Sequence, residues 1–421
     1  MPPSQNRIDL LAGFPAPDLL PVDPLKDAAI TALSDPTVSI PGFGYGPDEG
    51  YHPLRENLAE WLSDVYRLSE PVSAKRICVA EGASQNLACI LQVFKDPNVT
   101  MCIWMVEPAY SLARRIFEDG GFGDERIRGI PGGDNTSLGG IDLKYLEDAL
   151  EESEKQRLAK SRTPTKPDQP HRKFYKHIIY CVPTFSNPSG VTMPLQTRES
   201  LVRLARKHDA LVICDDVYDF LRIESDEESG NMNIAPPLRI VDVDRTLDGA
   251  PRDGFGNFVS NGSFSKTVGP GCRAGWSEAT EKFTVSLSQA GSTRSGGAPS
   301  QLMSTFINVL LTNGSLTKHL QETLLPACSR RCRVLTSAIK EYLEPLEVSF
   351  DKAGGGYFVW LELPEPLTAN QVAEAALQEE SLVVGQGELF AVSKDGYPDA
   401  HTGSNIGKKI RLCFMRKDEE R

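Results

Sequence analysis

Short apolar runs alternate with helical segments over much of the chain. The runs lack the strict polar alternation of half-exposed strands, and they predict buried strands at 76–80, 101–106, 177–182, 210–214 and 258–260. The segments between them predict helices at 83–94, 109–119 and 193–207, after a first helix that begins at Pro53. Strands separated by helices indicate a mostly parallel sheet covered on both faces, so we predict an α/β domain.

The two ends of the chain follow other patterns. Residues 1–40 are rich in proline and leucine and predict an arm or a short helix. After Gly297, a long helical region at roughly 300–343 precedes two strands, with a helix at 369–379 between them. We therefore predict three parts, which are an N-terminal arm at 1–40 that joins a small domain, a large α/β domain at 41–300, and a small α+β domain at 301–421.

Two charged stretches interrupt the alternation of strands and helices. Residues 151–173 and 224–256 carry runs of charge with proline or glycine and show no sustained apolar face. We interpret both as surface insertions without regular structure, the first of them mobile.

Composition narrows the class of protein. The chain has 421 residues, of which 40% are hydrophobic and 24% charged, as in a globular protein. A net charge of −12 argues against broad binding to nucleic acid or to an acidic membrane. The nine cysteines are scattered without metal-ligand spacing, and we find no secretory signal or run of membrane-spanning length. We expect a soluble, cytoplasmic protein with no metal site.

The stretch at 263–273 carries the clearest chemical signal. Lys266 lies between small hydroxyl residues, directly after a predicted strand and before a Gly-Pro-Gly turn. A lysine held away from water loses its proton readily, and the neutral amine forms imines with carbonyl compounds. Arg273, seven residues later, suits a phosphate. A lysine beside a phosphate site suggests pyridoxal phosphate, although a solvated lysine in a glycine-rich loop explains this stretch alone equally well.

Polar residues also follow the other predicted strands. Ligands of an open parallel sheet bind at the carboxyl ends of its strands, so these residues are expected to share one site. Each of them alone has a commonplace explanation, such as a turn, a helix start or core packing. The residues in question are Ala83 and Ser84 at a helix start, Tyr110, Asn187, Asp215 and Tyr218.

Taken in order, these motifs resemble the class I/II aminotransferases, which are fold-type I pyridoxal-phosphate enzymes. The resemblance runs from about residue 13 to 414 and looks closest to the branch of the 2-aminoadipate and kynurenine aminotransferases. The matching motifs are Tyr45-Gly46-Pro47-x-x-Gly50, Gly82-x-Ser84-Gln85, Glu107-Pro108-x-Tyr110, Asn187-Pro188-Ser189-Gly190, Asp215-x-x-Tyr218, Ser263-x-Ser265-Lys266, Arg273, Gly355-Gly356-x-Phe358-x-Trp360 and Ile410-Arg411-Leu412.

The resemblance implies roles around the cofactor ring. Lys266 would form the Schiff base and shuttle the proton at the substrate Cα. Asp215 would keep the ring nitrogen protonated, which makes the ring an electron sink. Asn187 and Tyr218 would bond the phenolic oxygen of the ring, and Tyr110 would stack on it.

Further roles follow for the phosphate and the substrate. The phosphate would be held by the backbone of Ala83 and Ser84 and by the side chains of Ser263, Ser265 and Arg273. Tyr45 would reach the phosphate of a neighbouring subunit, which implies a homodimer with shared sites. Arg411 would bind the substrate carboxylate in a bidentate pair, with Asn187 beside it and Gly13 lining the pocket.

This sequence departs from the family pattern in its two charged insertions and in ending soon after the strand of Arg411, where relatives usually continue into a helix. The resemblance predicts an aminotransferase that moves an amino group from an L-amino acid to a 2-oxo acid. A β-lyase or another fold-type I pyridoxal-phosphate enzyme remains the alternative. A transcriptional regulator with this domain is disfavoured, because no DNA-binding extension precedes residue 40.

Two unrelated motifs also fit short stretches. Ser263-x-x-Lys266 matches the nucleophile motif of penicillin-recognising enzymes, but that motif needs a continuous helix, and Pro270 follows at once. The run at 215–219 matches the D-D-x-x-D pattern of terpene synthases, but here it ends a strand in an α/β pattern. We set both aside.

Overall fold

The structure is a computed structural model that describes residues 7–132, 139–158, 163–223, 235–249, 253–294, 299–392 and 405–416. The strands, numbered along the chain, are β1 Ile8–Asp9, β2 Ile77–Ala80, β3 Cys102–Glu107, β4 Ile127–Pro131, β5 His177–Cys181, β6 Ala210–Asp215, β7 Phe258–Ser263, β8 Gly275–Glu278, β9 Ser349–Phe350, β10 Phe358–Glu362, β11 Leu382–Val383, β12 Gly385–Gln386 and β13 Lys409–Cys413. The α-helices are α1 Val22–Ser34, α2 Pro36–Gly42, α3 His52–Val65, α4 Ala83–Phe94, α5 Ser111–Asp119, α6 Leu143–Leu158, α7 Leu195–Lys207, α8 Ile240–Thr246, α9 Glu281–Ser288, α10 Gln301–Thr312, α11 Ser315–His319, α12 Leu325–Ala338 and α13 Ala369–Glu380.

A seven-stranded sheet forms the centre of the fold, in the order β2-β8-β7-β6-β5-β3-β4. From β7 to β4 neighbouring strands are parallel, and β8 runs antiparallel to both β2 and β7. Strands β5, β6 and β7 are buried along their whole length, as expected for a parallel sheet covered on both faces. The predicted α/β fold with a mostly parallel sheet is confirmed, and both ends of each strand predicted for this domain lie within three residues of the observed ends.

The two faces of the sheet pack against different helices. Side chains of successive strand residues point to opposite faces, so Ile103 and Met105 belong to one buried cluster and Cys102 and Trp104 to another. The first cluster includes apolar residues of α4, α5 and α9, and the second includes those of α6, α7 and α8. This three-layer arrangement leaves the carboxyl ends of the parallel strands free to carry a site.

The C-terminal part contains a four-stranded antiparallel sheet in the order β12-β13-β10-β9. The N-terminal segment joins it, because β1 pairs in parallel with β11 and the backbone N–H of Cys413 donates to Leu10 O at 2.8 Å. Residues 22–42 form two helices, more regular structure than the predicted arm or single short helix. The predicted domain boundaries at 40 and 300 stay a prediction.

The prediction of unstructured insertions is wrong for several described residues. Helix α6 extends through 151–158, and Asp96 Oδ2 accepts the backbone N–H groups of Thr165 and Lys166 at 2.9 Å each. Helix α8 lies within 224–256, and Arg239 beside it pairs with Glu278 at 2.5 Å. At α8, charge misled the prediction because Arg239 and Asp242 are buried and paired within the fold. Residues 159–162, 224–234 and 250–252 lie outside the described residues.

Among the helices that the structure describes, none combines the length and apolar character needed to cross a bilayer.

Candidate active site

A cavity of about 510 Å³ opens at the carboxyl ends of β5, β6 and β7. Every site residue predicted from the sequence, apart from Tyr45, lines this cavity. Those lining residues are Gly13, Ala83, Ser84, Tyr110, Asn187, Asp215, Tyr218, Ser263, Ser265, Lys266, Arg273 and Arg411. The fold therefore brings together side chains that are up to about four hundred residues apart in the sequence, as the strand-end argument predicts.

Lys266 follows β7 on a tight turn, in which the backbone N–H of Val268 donates to Phe264 O at 2.8 Å. Its Nζ donates to Gly13 O at 2.6 Å and lies 5.5 Å from the ring centres of Tyr218 and Tyr357. Burial lowers the pKa of Lys266 to about 8, against the opposing effect of the Asp215 carboxylate. A substantial fraction of this amine is therefore neutral and nucleophilic near physiological pH.

Asp215 is the last residue of β6, and burial raises its pKa to about 6. Its Oδ2 accepts a hydrogen bond from the Tyr180 hydroxyl at 2.6 Å. Its Oδ1 is buried and has no hydrogen-bond partner within the described part of the chain. A buried carboxylate oxygen without a donor is costly, so this atom is suited to a cationic N–H group of a ligand in the cavity.

An anion cradle lies at one side of the cavity. Gly82 is the N-cap of α4, and the backbone N–H groups of the first helical turn have no carbonyl partner within the helix, so this end of the helix favours an anion. The φ of 95° at Gly82 favours glycine, and a Cβ there would also lie 2.6 Å from Arg273 Nη2. The hydroxyls of Ser263 and Ser265 lie 2.8 Å apart on the same cavity wall. This donor set fits a phosphate group.

A second cation, Arg411 on β13, lies on another part of the cavity wall. Its guanidinium stacks between the rings of Phe358 and Phe390 at 4.0 and 4.6 Å, and it donates from Nη1 to Asn187 Oδ1 at 2.6 Å. Nη2 donates to Leu11 O, and Nε is buried without a partner. Among the described residues no carboxylate pairs with Arg411, so the guanidinium is available for the carboxylate of a ligand.

Two tyrosines complete the wall between these groups. Tyr218 is buried and contacts Tyr357 and Phe358 edge-on at 5.7 and 5.9 Å. Burial raises the pKa of Tyr218 above the usual range, so its hydroxyl remains a hydrogen-bond donor. Tyr110 is the N-cap residue of α5, and burial also raises its pKa.

Tyr45 does not join the other predicted residues. It lies in the loop after α2 and is 90% exposed. Its predicted contact with the phosphate of a neighbouring subunit stays a prediction.

The sequence argument missed several lining or supporting residues. Tyr180 on β5 donates a hydrogen bond to Asp215. The sequence feature that could have identified it is a polar group near the end of an otherwise apolar strand. Leu112 and Leu389 line the cavity although each is more than two-fifths exposed, and no sequence signal separates them from ordinary surface leucines. Phe390 stacks on Arg411 from a segment that carried no predicted element.

The sequence profile described as Aminotransferase class I and II matches residues 16–420. The chain is 33% identical to the uncharacterized protein YER152C of Saccharomyces cerevisiae, over 98% of this chain and 94% of that one. It is 29% identical to aromatic-amino-acid aminotransferase 1 of Thermococcus litoralis, over 99% and 86% of the two chains.

A solved structure is similar along nearly the whole chain. It is LysN, the α-aminoadipate aminotransferase of Thermus thermophilus, complexed with N-(5'-phosphopyridoxyl)-L-leucine. The TM-score is 0.73 at 25% identity, and the alignment covers 99% of this chain and 89% of that chain. The predicted resemblance to this branch of aminotransferases is confirmed.

The pH dependence of amine reactivity tests the state of Lys266. Acetic anhydride reacts with neutral amines, so acetylation of Lys266 is expected to rise through a midpoint near pH 8. Lys144 provides the comparison, because it is 77% exposed and its hydrogen bond to Asp148 raises its pKa. Its acetylation rate should still be rising with pH where that of Lys266 has levelled off. Mass spectrometry of peptides after brief labelling measures both, and parallel curves for the two lysines would contradict the lowered pKa.

Proposed function

This chain belongs to the class I and II aminotransferases, and we propose that the cavity at the carboxyl ends of β5, β6 and β7 is its active site. It is a pyridoxal-phosphate-dependent enzyme that moves an amino group from an L-amino acid to a 2-oxo acid. The observation that carries the proposal is that one cavity contains an amine with a lowered pKa, a buried carboxylate oxygen without a donor among the described residues, and an anion cradle.

The residues of the cavity fit pyridoxal phosphate. Its phosphate suits the N-terminus of α4 with Ser263, Ser265 and Arg273, and its protonated ring nitrogen suits Asp215 Oδ1. When bound, the cofactor supplies an aldehyde that reacts with amines and a ring that withdraws electrons. Lys266 is the amine that this arrangement offers to the aldehyde.

Lys266 also serves as the base and acid of the reaction. Its pKa of about 8 lets it take up and release a proton near neutral pH, which suits proton transfer at the substrate Cα. Asn187 and Tyr218 lie close by as donors for the phenolic oxygen of the ring, and Tyr110 as the stacking aromatic. These assignments rest on the match to the family motifs and on the shared cavity.

Arg411 binds the substrate α-carboxylate. The two flanking phenylalanine rings and Asn187 fix the guanidinium plane, so little rotamer freedom is lost when a carboxylate binds. Gly13 lines the pocket opposite Phe358, and a Cβ there would lie 2.7 Å from Phe358 Cζ, so a larger residue would narrow the site.

The pocket wall favours substrates with apolar side chains. Each cation that lines the cavity has a partner in the proposed scheme, namely the aldehyde for Lys266, the phosphate for Arg273 and the α-carboxylate for Arg411. The mouth of the cavity carries apolar side chains, which are Leu11, Phe14, Leu112 and Leu389. Among the described residues that line this mouth there is no cation to pair with an acidic side chain, although the guanidinium of Arg416 lies 4.1 Å from the ring centre of Phe14. The name of the aromatic-amino-acid aminotransferase relative agrees with this preference.

The active form is a homodimer with shared sites. The region from α1 to Tyr45 exposes an unusual number of large apolar side chains, and such patches mark protein interfaces. They are Val22, Ile30, Leu33, Ile40, Phe43 and Tyr45, which are between 45% and 90% exposed. Tyr45 within this patch would then reach the phosphate in the second subunit.

The reduced state of the cysteines fits a cytoplasmic location. None of the nine forms a disulfide bond in the described structure, and eight of them are buried. Free thiols persist in a reducing compartment.

Substitution of the catalytic lysine tests the assignment. Lys266→Ala is expected to lower kcat for amino-group transfer by at least ~10³-fold, because the variant lacks both the amine and the proton carrier. It should also lose the visible absorption band of bound pyridoxal phosphate. Lys282→Ala, at an exposed lysine of α9, is the control and should keep both. Retained turnover in Lys266→Ala, or pyruvate and ammonia in place of a new amino acid in the unaltered enzyme, would contradict the function.

A donor panel tests the substrate class. With one 2-oxo acid in excess, kcat/KM for leucine, methionine and phenylalanine is expected to exceed that for aspartate and glutamate by roughly tenfold or more. Leu112→Arg adds a cation at the cavity mouth and should shift the ratio towards the acidic donors. A preference for acidic donors in the unaltered enzyme would refute the proposed preference for apolar side chains, but it would leave the assignment of Lys266 unaffected.

Surface substitutions test the homodimer. The double variant Ile40→Glu, Phe43→Glu places charges in the exposed patch and is expected to yield monomers with at least ~10-fold lower activity. Light scattering gives the mass, and circular dichroism verifies the fold. Val285→Glu, at a residue that is 49% exposed on α9, is the control and should remain dimeric. A dimeric and fully active double variant would show that this patch is not the interface.

A further inference from the structure

We propose that Tyr180 is a positioning residue that holds Asp215 ionised and oriented so that its second oxygen faces the ring nitrogen of the cofactor. The inference rests on the proposed role of Asp215 and assigns a function to a residue outside the cavity wall. Tyr180 is the second-last residue of β5, and Asp215 is the last residue of the neighbouring parallel strand β6.

A single hydrogen bond makes the two oxygens of the Asp215 carboxylate different. The Tyr180 hydroxyl donates to Oδ2 at 2.6 Å, a short distance typical of a charged acceptor. Oδ1 has no donor among the described residues, although it is buried and belongs to a side chain that lines the cavity. Rotation of the buried carboxylate would break the Tyr180 bond, so the bond fixes which oxygen faces the ligand.

Tyr180 is itself immobilised. Its side chain is 1% exposed, and its ring contacts Phe117 of α5 edge-on with ring centres 5.9 Å apart. Burial, together with the Asp215 carboxylate, raises the pKa of Tyr180 well above its usual value. The hydroxyl therefore remains a donor at every physiological pH, and a permanent donor favours the carboxylate over the carboxylic acid.

The charge of Asp215 depends on several neighbours. Burial raises its pKa to about 6, and Asp219 acts in the same direction. The Tyr180 hydrogen bond and the Lys266 ammonium lower it. Tyr110 and Tyr218 face the carboxylate too, but as neutral groups, because burial raises their own pKa values. Removing the Tyr180 hydroxyl would therefore raise the pKa of Asp215, and the carboxylate would take up a proton at a higher pH.

The test is a titration of the cofactor-free protein with pyridoxal phosphate between pH 5 and 8, followed by cofactor absorbance. Tyr180→Phe removes the hydroxyl and keeps the ring contact with Phe117. We expect its affinity to be ~10- to 100-fold weaker at neutral pH, as for a lost bond to a charged group. The loss of affinity on acidification should also begin at a higher pH than in the unaltered protein. The cofactor ionises in the same way with every protein compared, so its ionisations do not contribute to the differences in affinity between them.

Tyr175→Phe is the matched control. Tyr175 is also fully buried, but its hydroxyl donates to Gly256 O at 2.5 Å and makes no bond to Asp215. It should bind the cofactor with the same affinity and pH dependence as the unaltered protein. Thermal unfolding of both variants separates loss of core stability from loss of positioning. A Tyr180→Phe curve that superimposes on that of the unaltered protein or of Tyr175→Phe would overturn the proposal.

A double-mutant cycle tests whether Tyr180 acts through Asp215. In an Asp215→Asn background, Tyr180→Phe is expected to cause no further loss of cofactor affinity. An equal loss in both backgrounds would overturn the positioning role and leave the proposed function of Asp215 intact. Cofactor affinity that is unchanged in Asp215→Asn alone would overturn that proposed function, and the positioning role with it.

Discussion

The carboxyl edge of the parallel sheet carries buried ionisable groups, and some of their hydrogen-bonding atoms have no partner among the described residues. Asp215 Oδ1 and Arg411 Nε have no partner in the described structure, and Lys266 donates only to a backbone carbonyl. Each unfilled buried polar atom costs roughly 1–3 kcal/mol. Other such atoms lie elsewhere in the described structure, among them Trp61 Nε1 and Arg331 Nε, but those at this edge belong to side chains that line the cavity, where a ligand can offset the cost.

A second layer of charge behind the cavity keeps these groups in place. The Ser260 hydroxyl lies 2.5 Å from Asp216 Oδ2, and the Tyr66 hydroxyl lies 2.7 Å from Asp219 Oδ2. The ring of Tyr66 lies 4.5 Å from the Arg239 guanidinium, which in turn pairs with Glu278 on β8. The turn from Asp215 to Asp219 is thus tied to β7, α3 and β8 at once. Such networks are costly to disturb, because loss of one member leaves another buried charge unpaired.

The sequence predicted the fold and most of the cavity because both depend on local pattern. Strands in a parallel sheet read as continuous apolar runs, and polar residues at their ends meet at one edge, as Lys266 and Asp215 do. Tyr180 was missed because its role depends on the register between β5 and β6, which no local pattern encodes. Helix α8 was missed because its charges are paired by residues distant in the sequence, as Asp244 is by Arg206. The proposed role of Tyr45 depends on a second chain.

The N-terminal segment links the cations of the cavity to the C-terminal sheet. The carbonyl of Gly13 accepts from Lys266, and the carbonyl of Leu11 accepts from Arg411. The same segment pairs with β11 and receives the backbone N–H of Cys413 from β13, the strand that carries Arg411. A substrate carboxylate is a stronger acceptor for a guanidinium than a neutral carbonyl is. In the proposed function, a substrate carboxylate at Arg411 would compete with the bond to Leu11 and would so couple the pocket to the packing of the N-terminal segment.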